Sequence, residues 1–353
     1  MRIDKWLCAS FVVLVAAGLV LSFSIPGCSW TKHSIWVLLG IASFVGLSLL
    51  DYHVLKGYAM ALYGLLLASL VAILVFGSFT RGSRAWFDLG LLKAQPSELG
   101  KPILVVALAY LASECRGEIL RDDLRRLLVV GGIPLFLVLI EPDLGQSLVY
   151  AIIVFGILLF GGVSRRYLIL LTASAGLLAV LAFASPLVAE YQKQRLQAFT
   201  QQDRAVITSD PASYNLAQSR IAIGSGGWFG KGFRKGSQTR LAYVPEQCTD
   251  FVFTAVAEQF GFVGSVLILA LFSILIWRIL HAAATARDYF GTLIAGALAV
   301  MMVFQIFQNI GMTMGIMPIT GLPLPLLSYG GSSMLATSAS LGLVHSVYLR
   351  RFG

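Results

Sequence analysis

The chain has 353 residues, 58% of them hydrophobic and only 12% charged, with a formal net charge of +9 from 26 Lys plus Arg against 17 Asp plus Glu. A soluble domain averages about 25% charged residues. Disorder, a fibrous repeat, a disulfide-stapled miniprotein and an ordinary soluble enzyme are therefore excluded. The composition demands a membrane, and the basic balance points to the positive-inside rule and to anionic lipid substrates rather than to nucleic acid.

Runs free of Asp, Glu, Lys and Arg mark the predicted spans. In chain order they begin with Trp6 to Ile25, Ser34 to Leu50 and Tyr58 to Thr80. Two shorter runs follow, Pro102 to Ser113 and Leu127 to Ile140, read as full spans whose outer turns carry Glu98 and Lys101 on one and Glu141 and Asp143 on the other. Leu144 to Ser164, Tyr167 to Ala189 and Phe251 to Trp277 (broken once, at Glu258) continue the series. The last run, Tyr289 to Leu349, is 61 residues long. A crossing needs about 20 apolar residues, so this run is two spans around a loop marked by Pro318, Gly321, Pro323 and Pro325. The first run is too long for a signal's apolar core and is read as retained.

Ten spans put both termini on one side. The basic residues Arg2, Lys5, Lys56, Arg116, Arg121, Arg125, Arg126, Arg165, Arg166, Arg278, Arg287, Arg350 and Arg351 share that side, which makes it cytoplasmic. The expected fold is an all-α integral membrane protein, a polytopic bundle of about ten transmembrane helices forming a single domain over residues 1–353. One long extracytoplasmic loop spans 190–249. Cys28 and Cys248 both fall outside, where a disulfide is permitted; two unpaired thiols are equally compatible with the sequence. The four histidines show no ligand spacing, and no zinc site is predicted.

Ionisable groups at membrane depth default to a functional reading. Glu98, Lys101, Glu141, Asp143, Asp250 and Glu258 all lie at outer ends of spans, which favours a polar cavity opening outward over scattered snorkelling. Pro96 suits the first turn of a helix, which makes Ser97 and Lys101, and Glu98 and Lys101, neighbours on one face. The pair is either a self-contained helix-end ion pair or a lysine aimed at an anion. Six of the twenty residues from Ile221 to Arg240 are Gly, which suits either a phosphate nest with Lys231, Arg234 and Lys235 or a flexible surface loop. Asp250, Thr254 and Glu258 are spaced by four along one expected helix face. Asp250 is either the helix N-cap or a base at the lipid–water boundary.

Five segments together resemble the SEDS family, the shape, elongation, division and sporulation proteins. They are Gln95-Pro96-Ser97-Glu98, Pro142-Asp143-Leu144-Gly145, the glycine-rich loop through Gly236-Ser237-Gln238-Thr239, Pro245-Glu246 with Thr249-Asp250-Phe251, and Leu324-Pro325-Leu326-Leu327-Ser328-Tyr329-Gly330-Gly331-Ser332-Ser333. They occur in order over nearly the whole chain, and Pro318 to Pro325 looks like the elongation branch. Departures are Glu141 where Gln is usual, Gln146-Ser147 for the commoner Thr-Ala, and Cys248 at a position often held by His.

The resemblance implies a peptidoglycan glycosyltransferase of the bacterial cytoplasmic (inner) membrane. Such an enzyme polymerises lipid II, the undecaprenyl-pyrophosphate-linked disaccharide-pentapeptide, beside a class B penicillin-binding protein that cross-links the product. Asp250 is then the essential general base. Pyrophosphate leaves well and needs cationic stabilisation rather than a strong acid, so one carboxylate suffices to deprotonate the acceptor hydroxyl. The candidate substrate-binding residues are Arg84, Gln95, Ser97, Glu98, Lys101, Lys231, Arg234, Lys235, Gln238, Glu246, Thr249, Ser328 and Ser332. A divalent cation, Mg or Mn, bridging Asp250 and the pyrophosphate is compatible with this chemistry, but the sequence shows no ligand cage and no cofactor is assigned. The rival readings are a lipid II flippase, whose site would sit nearer the midplane, and a non-enzymatic scaffold for the penicillin-binding protein, which would tolerate loss of Asp250.

Overall fold

The computed structural model describes residues 3–80, 83–88, 93–115, 119–184 and 211–352. The helices are α1 (Lys5–Ser24), α2 (Trp30–Leu49), α3 (Tyr52–Phe76), α4 (Pro96–Ser113), α5 (Arg121–Ile140), α6 (Leu144–Phe160), α7 (Arg165–Ala184), α8 (Pro211–Ser225), α9 (Ser237–Arg240), α10 (Val252–Ala284), α11 (Tyr289–Met314) and α12 (Gly331–Leu349). A long helix stands at each of the ten predicted positions. Five of them, α1, α2, α3, α10 and α11, are long and apolar enough to cross a membrane, and α6 is a shorter apolar helix. The protein is a polytopic helical membrane protein. Residues 185–210, the first part of the predicted external loop, lie outside the described residues.

Helix α11 is the central post. Its most apolar window is 72% buried within the protein, against 28% for α3 and α10, whose exposed sides suit lipid. Small residues let neighbours approach it closely, as is usual where lipid gives no hydrophobic drive for helix association. A side chain at Gly156 of α6 would come within 3.1 Å of the Ala297 Cα on α11, and one at Gly296 would strike the Phe160 ring.

Several helices start on acidic caps. Asp4, Asp51, Asp143 and Asp288 each accept a backbone N–H in the first turn of α1, α3, α6 and α11, which satisfies donors a helix leaves unpaired.

Contacts between connections define two ends of the bundle. At one end, the buried Asp4 carboxylate meets Arg278 of α10 at 2.8 Å. There His53 bridges Asp51 (2.8 Å) and Asp288 (2.9 Å), and Arg350 lies 3.5 Å from Asp51. At the other end, the α1–α2 connection, the turn before α10 and the starts of α4, α6 and α12 converge. The polar residues singled out in the sequence gather at this second end.

A small antiparallel sheet, order β1-β2-β3, precedes α4: β1 (Ser78–Thr80), β2 (Ser83–Asp88) and β3 (Lys93–Ala94). It pairs Ser78 with Trp86 and Phe87 with Ala94. The predicted third span runs to Thr80, but α3 ends at Phe76 and Ser78–Thr80 form β1; strands of two to six residues carry too little periodicity to stand out in a sequence. Arg84 falls within β2, and its side chain lies outside the described residues.

Candidate functional site

Helix α4 starts on Pro96, as its fixed φ favours, and carries the first polar group inward. The Lys101 Nζ donates to Glu98 Oε2 at 2.7 Å, with both side chains almost fully buried. The other Glu98 oxygen accepts from Gln146 of α6. Gln95 donates to Asp143 at 2.9 Å through its side chain, and to the Ser332 hydroxyl at 2.9 Å through its backbone. The Tyr150 hydroxyl donates to the Ser97 carbonyl at 3.0 Å. Glu141, fully buried, has no hydrogen-bond partner at either carboxylate oxygen. Gln146 and Tyr150 thus complete a network whose other members, Gln95, Ser97, Glu98, Lys101, Asp143 and Ser332, the sequence singles out.

The second group is built on a break in α10. Gly261 has φ 67° and ψ −159°, outside the helical region, and only glycine adopts this conformation readily. An unbroken helix would bond the N–H of Phe262 and Val263 to the carbonyls of Glu258 and Gln259. Here the glycine-rich loop takes both roles. Lys231 and Gly232 N–H donate to those carbonyls at 2.9 and 3.0 Å, and Phe262 and Val263 N–H donate to Gly227 and Trp228 carbonyls at 2.8 and 3.1 Å. All four freed backbone groups are satisfied, as membrane surroundings require. The contact is backbone against backbone, so any Cβ at Gly226 would collide with the Ala257 carbonyl and one at Gly230 with that of Gln259. The segment is therefore neither a flexible surface loop nor an open phosphate nest.

Glu258 closes the same loop. Its buried carboxylate accepts from Lys231 Nζ (3.0 Å), Gln238 N–H (2.9 Å), Thr239 N–H (2.8 Å) and the Thr239 hydroxyl (2.7 Å). Lys231 is thereby an internal ion pair. Arg234 and Lys235 stay exposed on the rim, with the Arg234 guanidinium 5.2 Å from the Phe23 ring centroid.

The turn from Glu246 to Phe251 carries Asp250. The Glu246 carbonyl accepts the N–H groups of Thr249 (3.1 Å) and Asp250 (3.0 Å), and Glu246 itself has a left-handed φ of 54°. Phe251 is the N-cap of α10, and its side chain makes no capping hydrogen bond. Asp250 is therefore not a helix cap. It also stands outside the helix, so the expected shared face holds for Thr254 and Glu258 but not for Asp250. Its side chain is half-buried.

Four groups fix this turn. Asn309 of α11 donates to the Asp250 carbonyl at 2.8 Å. The Cys248 carbonyl accepts from Tyr329 N–H at 2.8 Å. Gln247 donates to Thr254 (2.9 Å) and Thr239 (3.2 Å). Cys28 and Cys248 form a disulfide with Cα atoms 5.8 Å apart.

The segment Ser328 to Ser332 joins the two groups, with Tyr329 on the Asp250 turn and Ser332 on Gln95. Ser328 is internal, accepting from Leu324 N–H at 2.9 Å. Among the described residues, the Thr249 hydroxyl bonds within its own turn, to Glu246 at 3.2 Å. Among the described residues, no group of three or more His, Cys, Asp or Glu side chains is arranged to hold a metal ion.

The site missed from sequence is Asn309. Its signal was present: Gln305, Gln308 and Asn309 cluster as polar residues within a long, mostly apolar uncharged run, and a scan for charges alone passes over neutral amides.

Comparison with known proteins adds the following. The profile of the FtsW, RodA and SpoVE proteins, described as cell cycle protein, matches residues 3–351. The peptidoglycan glycosyltransferase MrdB of Escherichia coli K12 is 36% identical over 320 residues, covering 89% of this chain and 84% of that protein. The peptidoglycan glycosyltransferase RodA of Treponema pallidum is 28% identical over 397 residues, covering 91% and 90%. Among solved structures, a peptidoglycan synthase complex that coordinates polymerization and crosslinking contains a chain similar at a TM-score of 0.85 and 33% identity, covering 100% of this chain and 99% of that one. Thermus thermophilus RodA is similar at a TM-score of 0.76 and 32% identity, with the same coverage.

Proposed function

The chain belongs to the FtsW, RodA and SpoVE family of cell cycle proteins, the family its motifs resemble, and from that membership we propose that it is a peptidoglycan glycosyltransferase polymerising lipid II into glycan strands during cell elongation. The acceptor sugar hydroxyl attacks the anomeric carbon of the donor. A C–O bond forms there as the bond to the pyrophosphate oxygen breaks, and Asp250 takes the hydroxyl proton. A positioned base of this kind contributes roughly 10²–10⁴-fold.

The observation that carries the assignment is the state of Asp250. Asp250 stands in the turn just before α10, whose N-cap position Phe251 holds, with its backbone held by Asn309 and its turn by the disulfide. Cationic stabilisation of the departing pyrophosphate is assigned first to the exposed Arg234 and Lys235, with Arg84. Lys101 and Lys231 act from within ion pairs, Lys101 with Glu98 and Lys231 with Glu258. Gln95, Ser97, Gln238, Glu246, Thr249, Ser328 and Ser332 shape the surrounding walls.

The protein is placed in the bacterial cytoplasmic membrane with both termini inside, and a class B penicillin-binding protein is its cross-linking partner. The similar solved complex that coordinates polymerization with crosslinking supports that pairing. The decisive experiment supplies labelled lipid II to the purified protein and to Asp250→Asn. Glycan strands from the wild type and none from the variant are expected. Strands from both at equal rate would remove Asp250 from the chemistry, and strands from neither would favour a flippase or a non-enzymatic scaffold.

A further inference from the structure

We propose that the Cys28–Cys248 disulfide is a positioning element for the reaction, holding the Asp250 turn at its catalytic setting, so that turnover depends on the oxidised state of this bond. The inference rests on the reading of Asp250 as the base.

Cys28 lies in the short connection between α1 and α2, whose backbone is folded tightly: Cys28 N–H donates to the Ile25 carbonyl at 3.3 Å, and Trp30 N–H to the Cys28 carbonyl at 3.1 Å. Both flanking helices are 20 residues long; α1 packs on α10, and α2 on α12. This end of the disulfide is thus a rigid post. The other end is in irregular backbone. Cys248 sits two residues before Asp250, in a turn whose first residue, Glu246, has a φ of 54°. A non-glycine residue in that region is held there by its surroundings. Two residues of chain reach about 7 Å at most, so any movement allowed at Cys248 reaches Asp250 almost undiminished. Asn309 and Tyr329 bind the turn from the α11 and α12 side. The disulfide is a restraint from the α1–α2 side, and removing it alters none of the candidate substrate-binding residues.

A disulfide that only staples the fold would shift stability and leave turnover alone. A positioning one lowers kcat and leaves KM in place, since misplacing a catalytic group costs rate. Dithiothreitol opens the bond by two thiol–disulfide exchanges. Each protein sulfur takes up one electron and one proton, and the reagent leaves as its cyclic disulfide.

The test compares full-length wild type, Cys28→Ser with Cys248→Ser, Asp250→Asn, and the three changes together, all in lipid nanodiscs with labelled lipid II. Thermal midpoints are measured alongside, and assays run where every protein is folded. Expected for the serine pair is a kcat about ten- to a hundredfold lower, with KM within about twofold of wild type. Expected for the triple variant is the same background as Asp250→Asn alone. Dithiothreitol should reproduce the loss in wild type, and reoxidation should restore the rate. Wild-type kcat in the serine pair, with Asp250→Asn inactive, overturns the positioning role and leaves the base in place. An active Asp250→Asn overturns the base and this inference with it. If the serine pair fails to fold, reduction of the folded wild type decides: a reduced protein that also unfolds, or that stays folded at full rate, shows a structural staple and overturns the proposal.

Discussion

The Asn309 side-chain amide, fully buried on α11, donates at once to the Asp250 carbonyl at 2.8 Å and to the Leu322 carbonyl at 2.6 Å. One neutral side chain thereby ties the turn bearing the proposed base to the proline-rich segment leading into α12. Asn309→Ala leaves two carbonyls without this donor, at about 1–3 kcal/mol for each one stranded. Glycan synthesis should fall at least about tenfold and the thermal midpoint should drop. A variant with wild-type rate and midpoint would show that the clamp is dispensable.

Asp250→Asn separates chemistry from structure unusually well here. Because Phe251 caps α10, the change removes no helix cap, and the thermal midpoint should stay near that of wild type. Polymerisation should fall to background. Asp250→Glu moves the carboxylate by about one methylene and should also be poor, since small displacements can cost about a hundredfold.

For Lys101 the burial of its ion pair dictates the design. Lys101→Ala alone leaves Glu98 buried and uncompensated, a loss of about 3–5 kcal/mol, so low activity from that variant would be ambiguous. Lys101→Met with Glu98→Gln removes both charges and should restore a thermal midpoint close to wild type. Lipid II polymerisation by this double variant should remain low. Full activity would make the pair a structural element only.

Glycine substitutions report on the helix break. Gly230→Ala combines a φ of 77° with a collision against the Gln259 carbonyl, and it should sharply reduce the yield of folded protein in detergent. Gly224→Ala, with nothing within 4 Å of the added carbon, should fold as wild type does. Equal yields for the two would contradict the packing of this loop into α10.

Orientation can be read from the thiols. With the termini inside, an impermeant maleimide on intact cells should label Cys248 once Cys28→Ser frees it, and Cys28 once Cys248→Ser does. Cys115, a free thiol near the end of α4, should stay unlabelled. Labelling of Cys115 from outside would reverse the assignment.

The helices were legible because apolar length is a strong and local signal: each of the ten long helices overlaps a predicted span, although α3, α4 and α5 start about six residues before their uncharged runs. The pairing of Glu98 with Lys101 was legible for the same reason, being set by helical spacing over three residues. What could not be read was anything closed by distant chain. The Lys231 partner is Glu258, 27 residues on, and the fit of the glycine-rich loop into α10 depends on a break that a glycine inside an apolar run does not announce. Cys28 and Cys248 stand 220 residues apart, with no local pattern to choose pairing over free thiols. Asp250 was misplaced into the helix because an acidic residue ahead of an apolar run ordinarily begins one.

The Asp4–Arg278 ion pair bears on how the protein is made. Asp4 leaves the ribosome 274 residues ahead of its partner. At a synthesis rate of roughly 5–20 residues per second, the two are separated by about 14 to 55 s. Over that interval the carboxylate at the head of α1 has no guanidinium to neutralise it, and an unpaired charge is poorly tolerated in a buried setting. Burial of Asp4 against Arg278 is therefore expected only after the far end of α10 has emerged. A nascent chain released before Arg278 would lack the counter-charge that seats its first helix, which makes such fragments ready substrates for membrane proteases.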